Sequence, residues 1–350
     1  MSDSFRLDPA QVSFVGEGLM RPECVLATRA GRLYCSDWRG GVVRIDADGS
    51  QRRIGCVERR EDTDFMPNGI ALLRDGSLLV ANLGVAGGIW RLYPDGHREP
   101  WLVELDGQPL PAVNFVWMDA QERIWFTVMF RSHPGAGRNH FRSDIGDGYV
   151  GLVDSLEQPG TARIAAEGLF TPNECRISLD GRWLCVNETF SHRVVRYPLA
   201  ADGGLGAREV LAQFDEDTLP DGLSLDSEGG LWITCVASNR ILRLMPDGRW
   251  QQVIEDTDPA HMAAVRAAID NGTLDRELLY RNPARVMPNV TSIAFGGPEL
   301  RTAYVGSVSG TAIAVFRSPV AGDPPLHWNW GAPPFERPRE GEIVETQTPQ

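Results

Sequence analysis

The sequence lacks any apolar run approaching the roughly 18 residues that a spanning helix needs, and its opening stretch, MSDSFRLDPAQVSF, carries acids and no apolar targeting core. These absences point to a soluble cytoplasmic protein. Excess positive charge is missing too: the formal net charge is −13 and the basic residues form no stripe, so neither nucleic acid nor a membrane surface is an expected partner. The six cysteines (Cys24, Cys35, Cys56, Cys175, Cys185 and Cys235) include no CxxC pair and mostly sit in apolar runs, which predicts buried reduced thiols. There is no GxSxG elbow, no HExxH and no phosphate-binding glycine loop, and only six histidines. Serine-hydrolase, zincin and nucleotide chemistry therefore have no motif to rest on.

What is abundant is glycine (37) and proline (24), within an ordinary 42% hydrophobic and 23% charged composition over 350 residues. Self-comparison explains the abundance. A β-rich unit recurs six times, as RPECVLATRAGRLYCSD, MPNGIALLRDGSLLVAN, AVNFVWMDAQERIWFTV, TPNECRISLDGRWLCVN, LPDGLSLDSEGGLWITC and MPNVTSIAFGGPELRTAYVGS. Spacing near 40 to 50 residues is what one four-stranded propeller blade requires. In register, the opening polar residue is Glu23, Asn68, Asn114, Asn173, Asp221 or Asn289, and eight positions on stand Gly31, Gly76, Glu122, Gly181, Gly229 and Gly297. Asp48-Gly49, Asp95-Gly96, Asp202-Gly203 and Asp247-Gly248 mark further hairpin turns.

A unit of this kind cannot cover its own apolar faces, so six pack radially into a ring. The predicted fold is all-β, a six-bladed β-propeller occupying residues 1–327 as one domain, with a peripheral Pro- and Glu-rich tail over 328–350. The strand in QVSFVGEG, ahead of the first unit, is expected to join the last blade and latch the ring.

The first strand of each blade lines a propeller's channel, so an equivalent position in the repeat becomes an equivalent position around one axis. The six opening residues are expected to converge as carboxylate and amide oxygens. Such donors, without His or Cys, suit one divalent metal ion of the hard kind, calcium foremost, with magnesium, manganese, zinc or iron as alternatives.

With those residues in view, the sequence resembles the SMP-30/gluconolactonase/luciferin-regenerating enzyme (LRE) family from about Gly16 to Arg317. The resemblance rests on Pro-Glu23, on Asn114 before VWMDAQERIWF, on Pro-Asn173, and on PDGLSLDSEGGLW around Asp221. It implies that Glu23, Asn173 and Asp221 are metal ligands, that Asn114 lies near metal and substrate, and that the activity is metal-dependent hydrolysis of a small lactone or related ester. Asp221 is the chosen general base, a carboxylate placed beside metal and water. One departure is visible. Sugar-lactone members carry arginine two residues before the asparagine, where this chain has Ala112, and an acid after it, where this chain has Phe115. A less polar lactone or ester is thereby favoured. Two other readings keep the fold: strictosidine-synthase-like condensing or lyase chemistry, and a ligand-sensing scaffold braced by a structural metal.

Two insertions interrupt the period. Residues 130–150 hold Arg131, His133, Arg138 and His140, candidates with Asn68 and Asn289 for substrate binding and, as a loop, a candidate lid. Residues 258–282 read as one or two short helices between blades five and six, packing on the same face. A monomer or homodimer is expected.

Overall fold

A computed structural model of the chain describes residues 5–57, 64–132 and 141–330. It contains six four-stranded antiparallel sheets and a two-stranded ribbon, and the sheets are arranged as the blades of a propeller. In blade two the strands run Pro67–Leu72, Leu78–Asn82, Ile89–Leu92 and Arg98–Leu102 from the channel outward. The second strand, LLVAN, is buried along its whole length because neighbouring blades cover both its faces. Outer strands are half solvated: Gln51–Ile54 of blade one buries only Ile54.

The repeated turn explains the repeated glycine. Gly31, Gly76, Gly181, Gly229 and Gly297 all have φ between +71° and +83°. Glu122 takes the same left-handed turn in blade three at φ +61°, a conformation that costs a side-chain-bearing residue about 1 kcal/mol. Blades three and five share a second device. The fully buried Trp125 and Trp232 donate from their indoles to Asp119 and Asp226, each at 2.8 Å. Burying about 200 Å² of ring contributes at most about 5 kcal/mol per tryptophan.

The ring closes by a strand exchange. Blade six takes Val290–Gly296, Thr302–Ser307 and Ile313–Arg317 from the end of the chain and Ser13–Val15 from its beginning, paired antiparallel with Ser13 opposite Val315. Between blades five and six, helix α1 (Pro259–Asp270) starts at Asp258, which accepts from His261 N at 2.7 Å, and α2 (Arg276–Tyr280) starts at Asp275, which accepts from Leu278 N at 2.8 Å. Their apolar side chains Met262, Val265 and Leu279 join Phe141, Phe190, Val236 and Val308 in one cluster on the channel-mouth face.

The opposite end of the channel is crossed by the segment after blade six. Asp323 N donates to Leu225 O, His327 Nε2 lies 3.0 Å from Ala27 O, and Arg74 stacks on Trp330. Trp328, where the sequence placed the start of the peripheral tail, is buried; residues 331–350 lie outside the described residues. Among the described residues, no helix is long and apolar enough to cross a membrane.

Candidate metal centre and binding pocket

In four blades the first strand carries a register shift at its channel-mouth end, between Pro67 and Ile70, Pro172 and Cys175, Pro220 and Leu223, and Val290 and Ile293. A bulge re-aims the residue it contains. In blades two, four and five that residue is Asn68, Asn173 or Asp221, held immediately after a proline that supplies no N–H to the ladder.

Neighbouring blades then clamp each backbone. Thr291 of blade six donates to Glu23 O at 2.9 Å, Asn68 to Asn114 O at 2.8 Å, Thr127 to Asn173 O at 2.7 Å and Asn187 to Asp221 O at 2.9 Å. Close approach of blades makes this possible: a Cβ on Gly222 would stand 2.1 Å from Thr291 O.

The side chains form a linked series. Asn68 Nδ2 donates to Glu23 Oε1 at 3.0 Å and reaches Asn114 Oδ1 at 3.2 Å, and Asn114 Nδ2 donates to Asn173 Oδ1 at 2.7 Å. Glu23, Asn114, Asn173 and Asp221 all line one cleft enclosing about 440 Å³ of non-atom space open to solvent. Its remaining wall includes Phe141, Phe190, Val236, Leu279, Tyr280 and Val308.

Burial pushes the Glu23 carboxyl above its ordinary pKa, with Arg21 and the Asn68 hydrogen bond opposing. Burial, then the nearby Glu23 and Glu174 charges, pushes Asp221 well above its own. Asp221 Oδ1 is buried with no hydrogen-bond partner. Two desolvated carboxylates, one with an orphan oxygen, beside amides and without His or Cys, fit a hard divalent cation. Below them in the channel, Glu174 accepts from Leu223 N at 3.0 Å and pairs with Arg176 at 3.3 Å; burial raises its pKa to about 7.

Other sequence candidates sit elsewhere. Asn68 does not line the cleft. It is 1% exposed, its Oδ1 accepts from Arg21 at 2.6 Å, and its Nδ2 is directed at Glu23 and Asn114. Asn289 is in register but points away: its Oδ1 accepts from Ala237 N at 2.7 Å and its Nδ2 donates to Leu279 O at 2.8 Å, so the helical insertion and blade five use both ends of the amide. Arg131 pairs with Glu167 on the surface and stacks on Tyr149. His133, Arg138 and His140 lie outside the described residues. The repeat register passes over Arg21, Phe141 and Tyr280, all on the cleft wall. A signal for Arg21 exists: two residues before the register position the six units carry Arg21, Met66, Ala112, Thr171, Leu219 and Met287, a single charge among six.

A profile of the SMP-30/gluconolactonase/LRE-like region matches residues 21–265. The chain belongs to this family. Its members among the similar proteins include a 6-deoxy-6-sulfogluconolactonase from Pseudomonas putida, 28% identical over 79% of this chain and 76% of that one. A pentonolactonase from Haloferax volcanii is 27% identical over 80% of this chain and 78% of its own. The structure of regucalcin from Agrobacterium tumefaciens, described as a calcium-binding protein, superposes with a TM-score of 0.64 at 17% identity, covering 91% of this chain and 97% of that one. The propeller is thus the fold of this family, and lactonases are among the relatives of this chain.

Proposed function

We propose that the protein is a divalent-cation-dependent hydrolase that opens a lactone or a related ester, with Asp221 as general base. The observation carrying this reading is the pair of buried carboxylates, Glu23 and Asp221, facing one cleft with Asp221 Oδ1 unpartnered. That two relatives covering about four fifths of the chain are lactonases supports the reaction class.

Glu23, Asn173 and Asp221 would hold the cation. Bound there, it supplies Lewis-acid polarisation of the ester carbonyl. Asp221, oriented by the Asn187 clamp on its backbone, takes a proton from water as the new C–O bond forms. That proton then neutralises the ring oxygen as the lactone C–O bond breaks. Asn114, fixed by its bond to Asn173 and by the Asn68 amide, keeps the ligand set in register, and the Phe141 and Phe190 wall excludes bulk water.

A panel of lactones and esters assayed with calcium and with a chelator tests the reading. Asp221→Asn should lower kcat by about 10² to 10⁴. Turnover that is indifferent to chelation, or unchanged in Asp221→Asn with cation still bound, overturns it.

A further inference from the structure

The six sister positions two residues ahead of the ring expose a second specialisation. Met66, Thr171, Leu219 and Met287 are buried there, so the fold asks for an apolar or self-satisfied side chain at this depth. Thr171, which shares the left-handed backbone of Arg21 (φ +50° against +52°), accepts from Phe190 N and needs nothing more. Arg21 is only 7% exposed, yet no carboxylate lies within ion-pair distance of it among the described residues. Its guanidinium donates to Asn68 Oδ1 at 2.6 Å and to the Tyr280 hydroxyl at 3.1 Å. Its Nε is buried with no partner. A buried cation that makes no direct ion pair is costly even with the Glu23 and Asp221 carboxyls near enough to feel its charge, and the other five units carry no charge at this position.

Arg21 is also held still. Trp38 stacks on the guanidinium at 4.2 Å and Tyr280 at 5.2 Å, and Glu23 N donates back to Arg21 O at 2.8 Å, closing a tight turn that ties this residue to the adjacent carboxylate. It lines the same cleft as Glu23 and Asp221, and among the described residues that lining holds no other cation. With a dication balancing the two carboxylates, Arg21 leaves the described lining of the cleft one positive charge in excess.

We propose that Arg21 is a specificity-determining residue, seconded by Tyr280, that receives an anionic substituent of the substrate. The lactone opened here then carries a single negative charge, as a carboxylate or sulfonate, on an otherwise apolar body that meets Phe141, Phe190, Val236 and Val308. This inference rests on the hydrolase reading above. It places the charge-recognising group in blade one, whereas the position two residues before Asn114 holds Ala112.

The test uses one lactone body, phthalide, bearing at the same ring position a carboxylate, a sulfonate or the carboxylate methyl ester, with wild type, Arg21→Met, Arg21→Lys and Tyr280→Phe. A charge-assisted contact predicts a kcat/KM ratio of anion to ester of about 10 or more in wild type, expressed mainly in KM. The ratio falls to about 1 in Arg21→Met, is partly kept in Arg21→Lys and is reduced in Tyr280→Phe. Whether carboxylate or sulfonate is preferred identifies which anion fits; a preference for either supports the proposal. Benzoate and benzamide binding, measured by calorimetry on calcium-loaded protein, gives a readout without turnover: benzoate should bind at least about tenfold tighter, and only while Arg21 or Lys is present. A ratio near 1 in wild type, or one that Arg21→Met leaves unchanged, overturns the inference. Absence of all lactone turnover sinks the hydrolase reading, and the benzoate arm still decides on Arg21. If Arg21→Met does not fold, the Lys variant and Tyr280→Phe carry the same comparison.

Discussion

Replacing Asn68 by alanine should unsettle the ring more than any other single amide truncation. The side chain is 1% exposed and joins three neighbours: it accepts from Arg21 at 2.6 Å, donates to Glu23 Oε1 at 3.0 Å, and reaches Asn114 Oδ1 at 3.2 Å. The backbone oxygen of Asn114 keeps a second donor, Gly69 N at 3.1 Å, so that contact is not orphaned. Two charged groups do lose a partner in a buried setting, each worth about 1.5 to 3 kcal/mol. Allowing for water entering from the cleft, the expected loss is about 3 to 4 kcal/mol, read as a lower urea midpoint at unchanged m-value. Cation affinity should fall with it, since Asn68 is one of the two influences that hold the Glu23 pKa down. A loss under about 1 kcal/mol would refute the claim that this amide organises the site.

Adding calcium at about a hundred times its Kd should stabilise the wild type by about 2.7 kcal/mol, and Glu23→Gln should abolish the increment in a thermal scan; equal increments would remove Glu23 from the ligand set. His327 is held down to a pKa of about 4 by burial, with Arg176 assisting and the contact to Ala27 O opposing. Its unfolded form takes up a proton near pH 6.5 while the folded form does not, so its contribution is intact above that pH and is lost as pH falls from 6.5 to 4. The loss is at most about 3 kcal/mol, less because residue 327 retains some exposure, and His327→Gln should flatten that part of the profile. Gly222→Ala should cost about 3 kcal/mol, because the added Cβ meets Thr291 O at 2.1 Å, whereas Gly181→Ala, at φ +71° in open space, should cost about 1 kcal/mol; equal penalties would contradict the inter-blade clamp.

The repeat makes the blades and the mouth positions legible in the sequence, because turn glycines and proline-led strands answer backbone requirements that recur six times. Rotamers do not recur. Asn289 shares its register with Asn173, yet the helical insertion supplies an acceptor at Leu279 and blade five a donor at Ala237, and those local partners decide where its amide points. The Asn68 amide likewise takes its orientation from Arg21, outside the periodic set, whose guanidinium donates to its Oδ1 at 2.6 Å. Phe141 and Tyr280 come from insertions with no counterpart in other blades, so no period could place them on the cleft wall. The Pro- and Glu-rich composition downstream of Trp328 suggests a peripheral position for it, whereas its burial depends on contacts with distant strands.

The crossing of the rear of the channel by residues 321–330 has a kinetic corollary. Among the described residues that segment lies over the rear of the channel, and the cleft lined by Asp221 opens on the other face, beside Phe141, Phe190 and Tyr280. On the proposed hydrolysis, substrate and product share that approach and the Asp221 site, so the hydroxy acid formed should inhibit competitively against the lactone.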